Sequence, residues 1–211
     1  MPAGRQGCKL FGMLYTRKGD SGTTKTFDCD QRISKSSAIA EALGALDEAN
    51  SFLGLCKVRS LTTHYKLQSI NFSDIIHQVQ ENLFIVQAEL AGAPKSITEE
   101  KVKEVEKLVD SAEKELPPIK TFFISGGSEL GATFDFARTL ARRAERRVVA
   151  VSESFDQAQD KEARSTGSGQ GKVKVGASTL AYLNRLSSLL YALVRLSNHF
   201  AGIEEKAPSY K

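Results

Sequence analysis

Within ten residues the chain places five arginines and one glutamate: Arg138, Arg142, Arg143, Glu145, Arg146 and Arg147. A guanidinium is a permanently charged planar fork that grips carboxylate or phosphate through paired N–H bonds, so this density of forks points to a polyanion site. The formal net charge is +4, from 29 Lys/Arg against 25 Asp/Glu. The arginine stretch alone carries an excess of that size, and the rest of the chain is balanced. A second feature lies near the N-terminus, where Thr16, Arg17, Lys18, Gly19, Asp20, Ser21, Gly22, Thr23, Thr24 and Lys25 follow one another. Glycine lets backbone N–H groups approach phosphate oxygens, lysine adds charge, and aspartate can hold a magnesium ion. The segment is neither GxxxxGK[ST] nor a GxGxxG turn opening a helix, so an ordinary polar turn is an equal reading of these residues alone.

At 100° per residue, Arg138, Arg142, Glu145 and Arg146 form one flank beside an apolar stripe, while Arg143 and Arg147 lie on its other side. Residues on such a shoulder sit where two helices or two subunits meet, partly desolvated, and there a guanidinium fork binds anions better than on an open face. Glu145 is spaced to fix the fork of Arg142, and no other compensating charge is evident. Asp47, within Gly44-Ala-Leu-Asp-Glu-Ala-Asn-Ser51, falls beside the stripe of its own helix. A partly buried acid there needs a cationic partner, and the Arg138 flank is the obvious source. Asn184, within Tyr182-Leu-Asn-Arg-Leu-Ser187, suits a bond to a ligand or to another helix. His64, His77 and His199 have no metal-ligand spacing and no nucleophile-elbow motif occurs, so no protein nucleophile is signalled. Cys8, Cys29 and Cys56 are odd in number and lack CxxC spacing, which argues for reduced thiols and against a disulfide framework or structural zinc.

Five helices are expected to position these residues. The first spans 36–58, with Ile39, Leu43, Leu46 and Leu53 at helical spacing. The second follows Ser73 as N-cap and carries Ile76, Val79, Leu83, Val86 and Leu90 before Gly92 and Pro94. Thr98 caps the third, with Ile97 and Val102 as a hydrophobic staple and Pro117-Pro118 as the stop. Ser125-Gly-Gly-Ser128 opens the fourth, with Leu130, Phe134, Ala137, Ala141 and Val148 on one face. The fifth runs from about Ser178 to Phe200 on a leucine stripe. No alternating run is long enough for a sheet, and the expected class is all-α, a five-helix antiparallel bundle with an extended N-terminal loop.

With 41% apolar residues over 211 positions, one core and one domain, 1–211, are expected. It divides into a tail at 1–15, a phosphate-binding loop region at 16–35, the bundle at 36–200 with a flexible insertion at 153–176, and a C-terminal tail at 201–211. No run approaches the roughly 20 apolar residues of a membrane span, and no complete targeting peptide is visible, so a cytoplasmic protein is expected.

Four blocks, in order, carry a family resemblance: Tyr15-Thr-Arg-Lys-Gly-Asp-Ser-Gly22, Gly44 to Ser51, Phe122 to Val149 with Arg-x-x-x-Arg-Arg-Ala-Glu-Arg-Arg, and Tyr182 to Ser187. Together they resemble the PduO-type ATP:corrinoid adenosyltransferases. The resemblance implies transfer of the 5'-deoxyadenosyl group of ATP to cob(I)alamin, with triphosphate released and Mg2+ on the phosphates. It implies a homotrimer with active sites between subunits, and dealings with a cob(II)alamin reductase and a B12-dependent acceptor enzyme, but not with nucleic acid or membrane. It assigns the 16–25 loop, Lys35, Arg142, Arg143, Glu145, Arg146 and Asn184 to ATP. Arg138 and Asp47 become a pair across the interface, and Phe122 the aromatic beneath the corrin. Reduced cobalt is itself the nucleophile, which agrees with a chain that signals none; the protein's work is positioning and electrostatics. Arg17, Ser125, Ser188 and the long 153–176 segment depart from the family pattern. Two other readings stand beside this one: an ATP sensor or cofactor escort of the same fold, and a nucleic-acid-binding module using the Arg138 to Arg147 helix.

Overall fold

The computed structural model describes residues 15, 17–26, 32–62, 71–162 and 174–210, with the backbone alone for 155–162. Thr16, Cys8, Cys29, His64 and residues 163–173 of the expected insertion lie outside the described residues. A short antiparallel pair, β1 (Thr23–Lys25) and β2 (Arg32–Ser34), precedes five helices: α1 (Ala38–Thr62), α2 (Phe72–Leu90), α3 (Glu99–Glu115), α4 (Glu129–Glu162) and α5 (Ala177–Phe200). The all-α class holds, while the expectation of no sheet is corrected by this hairpin. Three residues a side are too few for alternation to register in a sequence. Arg32 supplies what the short ladder lacks: its Nε donates to Thr23 Oγ1 at 2.7 Å, and its Nη2 donates to the carbonyls of Thr23, at 2.7 Å, and Lys18.

α4 packs between α1 and α5, with α2 against α1 and α3 against α5. Side-chain pairs fix the directions. Along the α1/α4 seam, Glu41 meets Arg147, Phe52 meets Phe136 and Arg59 meets Glu129, so one helix descends as the other climbs. Glu145 to Asn184 and Ser128 to Asn198 show the same reversal between α4 and α5. The core is the shared stripe, with Leu46, Leu53, Phe134, Ala141, Val148, Leu183, Leu186, Leu190 and Leu193 essentially sealed. Small α4 residues at 137, 141 and 144 let the neighbours approach closely.

The helix ends refine the sequence reading. Asn71, not Ser73, is the N-cap of α2: its Oδ1 accepts from the backbone N–H groups of Ser73 and Asp74 at 3.1 and 3.4 Å. Phe72, buried edge-on against Phe134, begins the helix one turn earlier than the aliphatic stripe suggested. Thr98 sits at the α3 N-cap, but its side chain makes no capping bond to the helix backbone. The carboxyl of Glu100, in the first turn, is held below the usual range first by its own backbone N–H and then by the neighbouring Thr98. α4 continues through 153–162, where the flexible insertion was expected to begin; that stretch contains no Gly or Pro to stop it. At the far side of that segment Val175 is buried, and Gly176 N–H donates to Glu89 Oε1 at 2.7 Å. Glu89, buried at the end of α2, also accepts from the Thr179 hydroxyl, so a carboxylate compensates the positive end of α5.

Ser128 caps α4, its Oγ accepting from Gly131 N–H at 3.0 Å, and Asn198 Oδ1 of α5 accepts from both the N–H and the hydroxyl of Ser128. The fit leaves no room: a Cβ on Gly131 would lie 2.4 Å from Asn198 Oδ1, and one on Gly127, whose φ is +101°, would lie 2.6 Å from it.

Two outcomes follow. Gly131→Ala should lower stability by about 1–3 kcal/mol in urea denaturation, because Asn198 is buried and cannot yield without losing its bonds; an unchanged midpoint would show the cradle to be compliant. Burial pushes the Cys56 thiol up to about 12, against weaker opposing pulls from its backbone hydrogen bond and Arg59. Above the unfolded thiol's pKa, near 8.5, the unfolded chain sheds a proton that the folded chain keeps, so this residue subtracts stability as pH rises from about 9 toward 12. Between pH 8 and 10 the wild-type chain should therefore lose more stability than Cys56→Ala; equal losses would contradict the assignment.

Candidate functional site

The helical pitch turns four of the five arginines toward two neighbours of α4. Arg143 and Arg147 turn toward α1, where Arg143 pairs with Glu48 and Arg147 lies 3.8 Å from Glu41. These four side chains, with Gly44, line a shallow groove of about 260 Å³. The expected absence of compensating charge is thus corrected for this half of the cluster: α1 brings the carboxylates of Glu41 and Glu48 to meet it.

Arg138 and Arg142 turn the other way. Both line a cavity of about 660 Å³ between α4, α5 and the 119–126 segment. Arg138 is half-buried, and its Nε donates to Asp135 Oδ1 at 2.7 Å, with Asp135 only 8% exposed. Sequence reasoning missed Asp135, although its position three residues before Arg138 on the same flank was the available signal. Arg142 is exposed at the cavity edge. Phe122 is 79% exposed on the wall opposite the helices. Tyr191, also in the lining, is kept a neutral phenol, its pKa raised first by burial and then by the nearby Glu205.

Glu145 does not fix Arg142. Its Oε1 accepts from Asn184 Nδ2 at 3.0 Å, while Arg185 Nη1 donates to Asn184 Oδ1 at 2.8 Å and Arg185 Nε to Glu106 Oε1 at 3.0 Å. The carboxylate is held by an amide that is itself held by a guanidinium, which links α4, α5 and α3 in one polar relay. Glu106 and Arg185 were not singled out from sequence, because nothing local shows that α3 and α5 meet. Arg146 is exposed on the outer face.

The N-terminal loop forms its own cluster. Asp20 N–H donates to Arg17 O at 3.3 Å and Gly22 N–H to Gly19 O at 3.1 Å, giving two successive turns, and Lys35 N–H closes onto Gly22 O at 2.9 Å. Arg17 and Gly22 hold positive φ, +57° and +76°, at the two ends of this pair of turns. The Lys35 ammonium stands against Gly19, 3.1 Å from where a Cβ would be, so a larger residue there would displace the charge. Lys18, Asp20 and Ser21 are exposed, Thr23 and Thr24 half-buried, and Lys25 exposed. No described loop residue lines the 660 Å³ cavity.

Asp47 is exposed on α1, which corrects the expectation of a partly buried acid; within this chain Arg138 is engaged by Asp135 instead. Among the described residues no group of three or more His, Cys, Asp or Glu side chains is arranged to hold a metal ion, and no helix is long and apolar enough to cross a membrane. Asp20 is the one carboxylate of the 16–25 stretch.

Residues 14–197 match the cobalamin adenosyltransferase family model. The chain is 36% identical over 195 residues to the corrinoid adenosyltransferase PduO of Citrobacter freundii, covering 89% of this chain and 50% of that protein. It is 35% identical to the PduO of Salmonella typhimurium, covering 86% and 48%; the chain thus spans about half the length of these two relatives. It is 32% identical to a Bacillus subtilis corrinoid adenosyltransferase, covering 90% and 89%. A solved variant of the PduO-type ATP:corrinoid adenosyltransferase from Lactobacillus reuteri, complexed with cobalamin and ATP, superposes with a TM-score of 0.75 at 24% identity, over 93% of this chain and 99% of that one. At that identity the likeness establishes the fold. With the family model spanning nearly all of the helical region and full-length relatives above 30% identity, the chain belongs to the cobalamin adenosyltransferase family.

Proposed function

We propose that the chain transfers the 5'-deoxyadenosyl group of ATP to cob(I)alamin, forming adenosylcobalamin and releasing triphosphate. The observation that carries this reading is one cavity with an apolar, aromatic wall at 119–124 and two guanidiniums, Arg138 and Arg142, on the facing helix. A flat apolar macrocycle suits the first wall, with Phe122 against its face. A departing polyphosphate suits the second, because positive charge fixed before the reaction stabilises negative charge as it develops. Relatives named corrinoid adenosyltransferases, and a structural neighbour complexed with cobalamin and ATP, support the same assignment.

The residue roles are those that the family resemblance supports. Arg142, Arg143, Glu145, Arg146 and Asn184 hold the nucleotide on α4 and α5, with the Glu145–Asn184 bond keeping both side chains in register before ATP arrives. The 16–25 loop, Lys35 included at its base, wraps the triphosphate and the Mg2+ bound to it. No described residue of that loop lines the cavity of its own chain, which suits a site completed by a neighbouring chain; the family resemblance supports a homotrimer with Arg138 and Asp47 paired across the interface. The expected setting is the cytoplasm, with a cob(II)alamin reductase supplying the reduced corrinoid and a B12-dependent enzyme receiving the product. Nucleic-acid binding is disfavoured by the same pairs: Arg143 and Arg147 meet glutamates and Arg138 meets Asp135, leaving little of an open basic face.

Anaerobic incubation with Mg-ATP and chemically reduced cob(I)alamin should give the adenosylcobalamin absorption spectrum. Arg142→Ala should slow turnover by roughly 10²- to 10³-fold, as loss of one fixed donor does; normal turnover by that variant would sink the assignment. Light scattering coupled to size exclusion should give the mass of three chains, and Asp47→Arg should lower it; a monomeric active wild type would remove the shared site.

A further inference from the structure

The far end of α5 carries a second buried polar cluster, outside the arginine helix. Arg195 is 5% exposed, and its guanidinium makes three contacts to two separate segments, 117–126 and the C-terminal tail. Nε donates to Glu205 Oε2 at 2.9 Å, Nη2 donates to Pro117 O at 3.1 Å, and Cζ lies 5.3 Å from the centre of the Phe123 ring. Less than one turn later, Asn198 Nδ2 donates to Gly126 O at 3.2 Å and reaches Glu205 Oε1 at 3.4 Å. The chain beyond α5 then runs beside the cavity wall, where Ile124 N–H donates to Lys206 O at 2.8 Å. The segment 117–126 has no regular secondary structure, so its own backbone bonds do not hold it. What holds it is α5 on one side and the C-terminal tail on the other.

We propose that Arg195 and Glu205 are positioning residues that latch the C-terminal tail onto the 117–126 segment and so set the height of Phe122 over Arg138 and Arg142. The proposal rests on the transferase reading for its ligand, and its geometry stands apart from that reading. A guanidinium is permanently charged, and one this enclosed is costly to leave without a carboxylate beside it; Glu205 is the tail's tie to it, so removing that carboxylate frees the tail, and with it the Lys206 carbonyl that Ile124 needs. The nucleotide half of the site, on the Glu145–Asn184 relay, is tied to α3 and not to this latch. The two substrates should therefore feel the latch differently.

The test uses the full chain with Glu205→Ala and Glu205→Gln. In Glu205→Ala the corrinoid concentration for half-maximal rate should rise on the order of tenfold to a hundredfold, while that for Mg-ATP stays within about twofold, since a displaced wall misplaces only the ligand it contacts. Amide exchange at Ile124, read by hydrogen–deuterium exchange without any turnover, should accelerate by a similar factor. Glu205→Gln, which retains an acceptor for Arg195, should fall between Ala and wild type in both measurements. Unchanged exchange at Ile124 overturns the latch whatever the activity. Corrinoid and ATP constants rising together, or neither moving, overturns the assignment of the latch to the corrinoid wall. Wild-type chain that makes no product removes the transferase reading instead, and the exchange experiment still decides the latch.

Discussion

α4 has to bury one apolar stripe against two helices at once while keeping five guanidiniums out of that stripe, and the rest of the molecule follows from how it does so. The pitch of about 100° per residue leaves two shoulders for four of the arginines and the outer face for Arg146. Ala137, Ala141, Ala144 and Val148 vanish between α1 and α5, so the shoulders lie along the two seams instead of on an open face. On the α1 seam carboxylates meet the charge, and the result is a structural groove with ion pairs at its rim. On the α5 seam a cavity opens instead. A uniformly paired helix would have no free valence for a ligand, and an unpaired one would repel itself, so the division between seams is what makes a binding helix compatible with a stable bundle.

Burying polar groups elsewhere gives the site its rigidity. Asn198 joins the start of α4, the Gly126 carbonyl and the C-terminal tail through one amide. Glu89 joins α2 to the start of α5. Net, each hydrogen bond stabilises by only about 1 kcal/mol, but leaving a buried partner unmet costs more than that, so these junctions penalise misplacement more than they reward correct placement. They are therefore better at fixing relative positions than at adding stability. Hydrophobic packing alone tolerates small slides of one helix along another; an amide that must meet three partners does not.

The cavity's apolar wall illustrates the cost of building a site outside regular structure. Phe122 and Ile124 are exposed, at 79% and 61%, and lie on a segment with no helix or strand of its own. Apolar side chains in that condition are kept from collapsing inward only by backbone anchors, here the Pro117, Gly126 and Ile124 backbone groups. The exposed aromatic surface is the free-energy reserve for ligand binding, since covering it removes apolar area from water.

The sequence by itself determined the five helices, the two-sided placement of the arginines and the family. Periodicity and the spacing of Arg138, Arg142, Glu145 and Arg146 are local properties that survive without knowing what packs where. It misplaced the α2 cap by two residues and missed the β1/β2 hairpin, because Asn71 and Ser73 are equally good caps and three-residue strands leave no pattern. Only the tertiary structure decided which charges are spoken for. Asp135 claims Arg138, Glu48 claims Arg143, Asn184 takes Glu145 away from Arg142, and Arg195 reaches across to Glu205. Each of these choices depends on the distance between groups on helices far apart in the chain or on competition between nearby partners, and Coulomb attraction falls with that separation and not with spacing along the sequence.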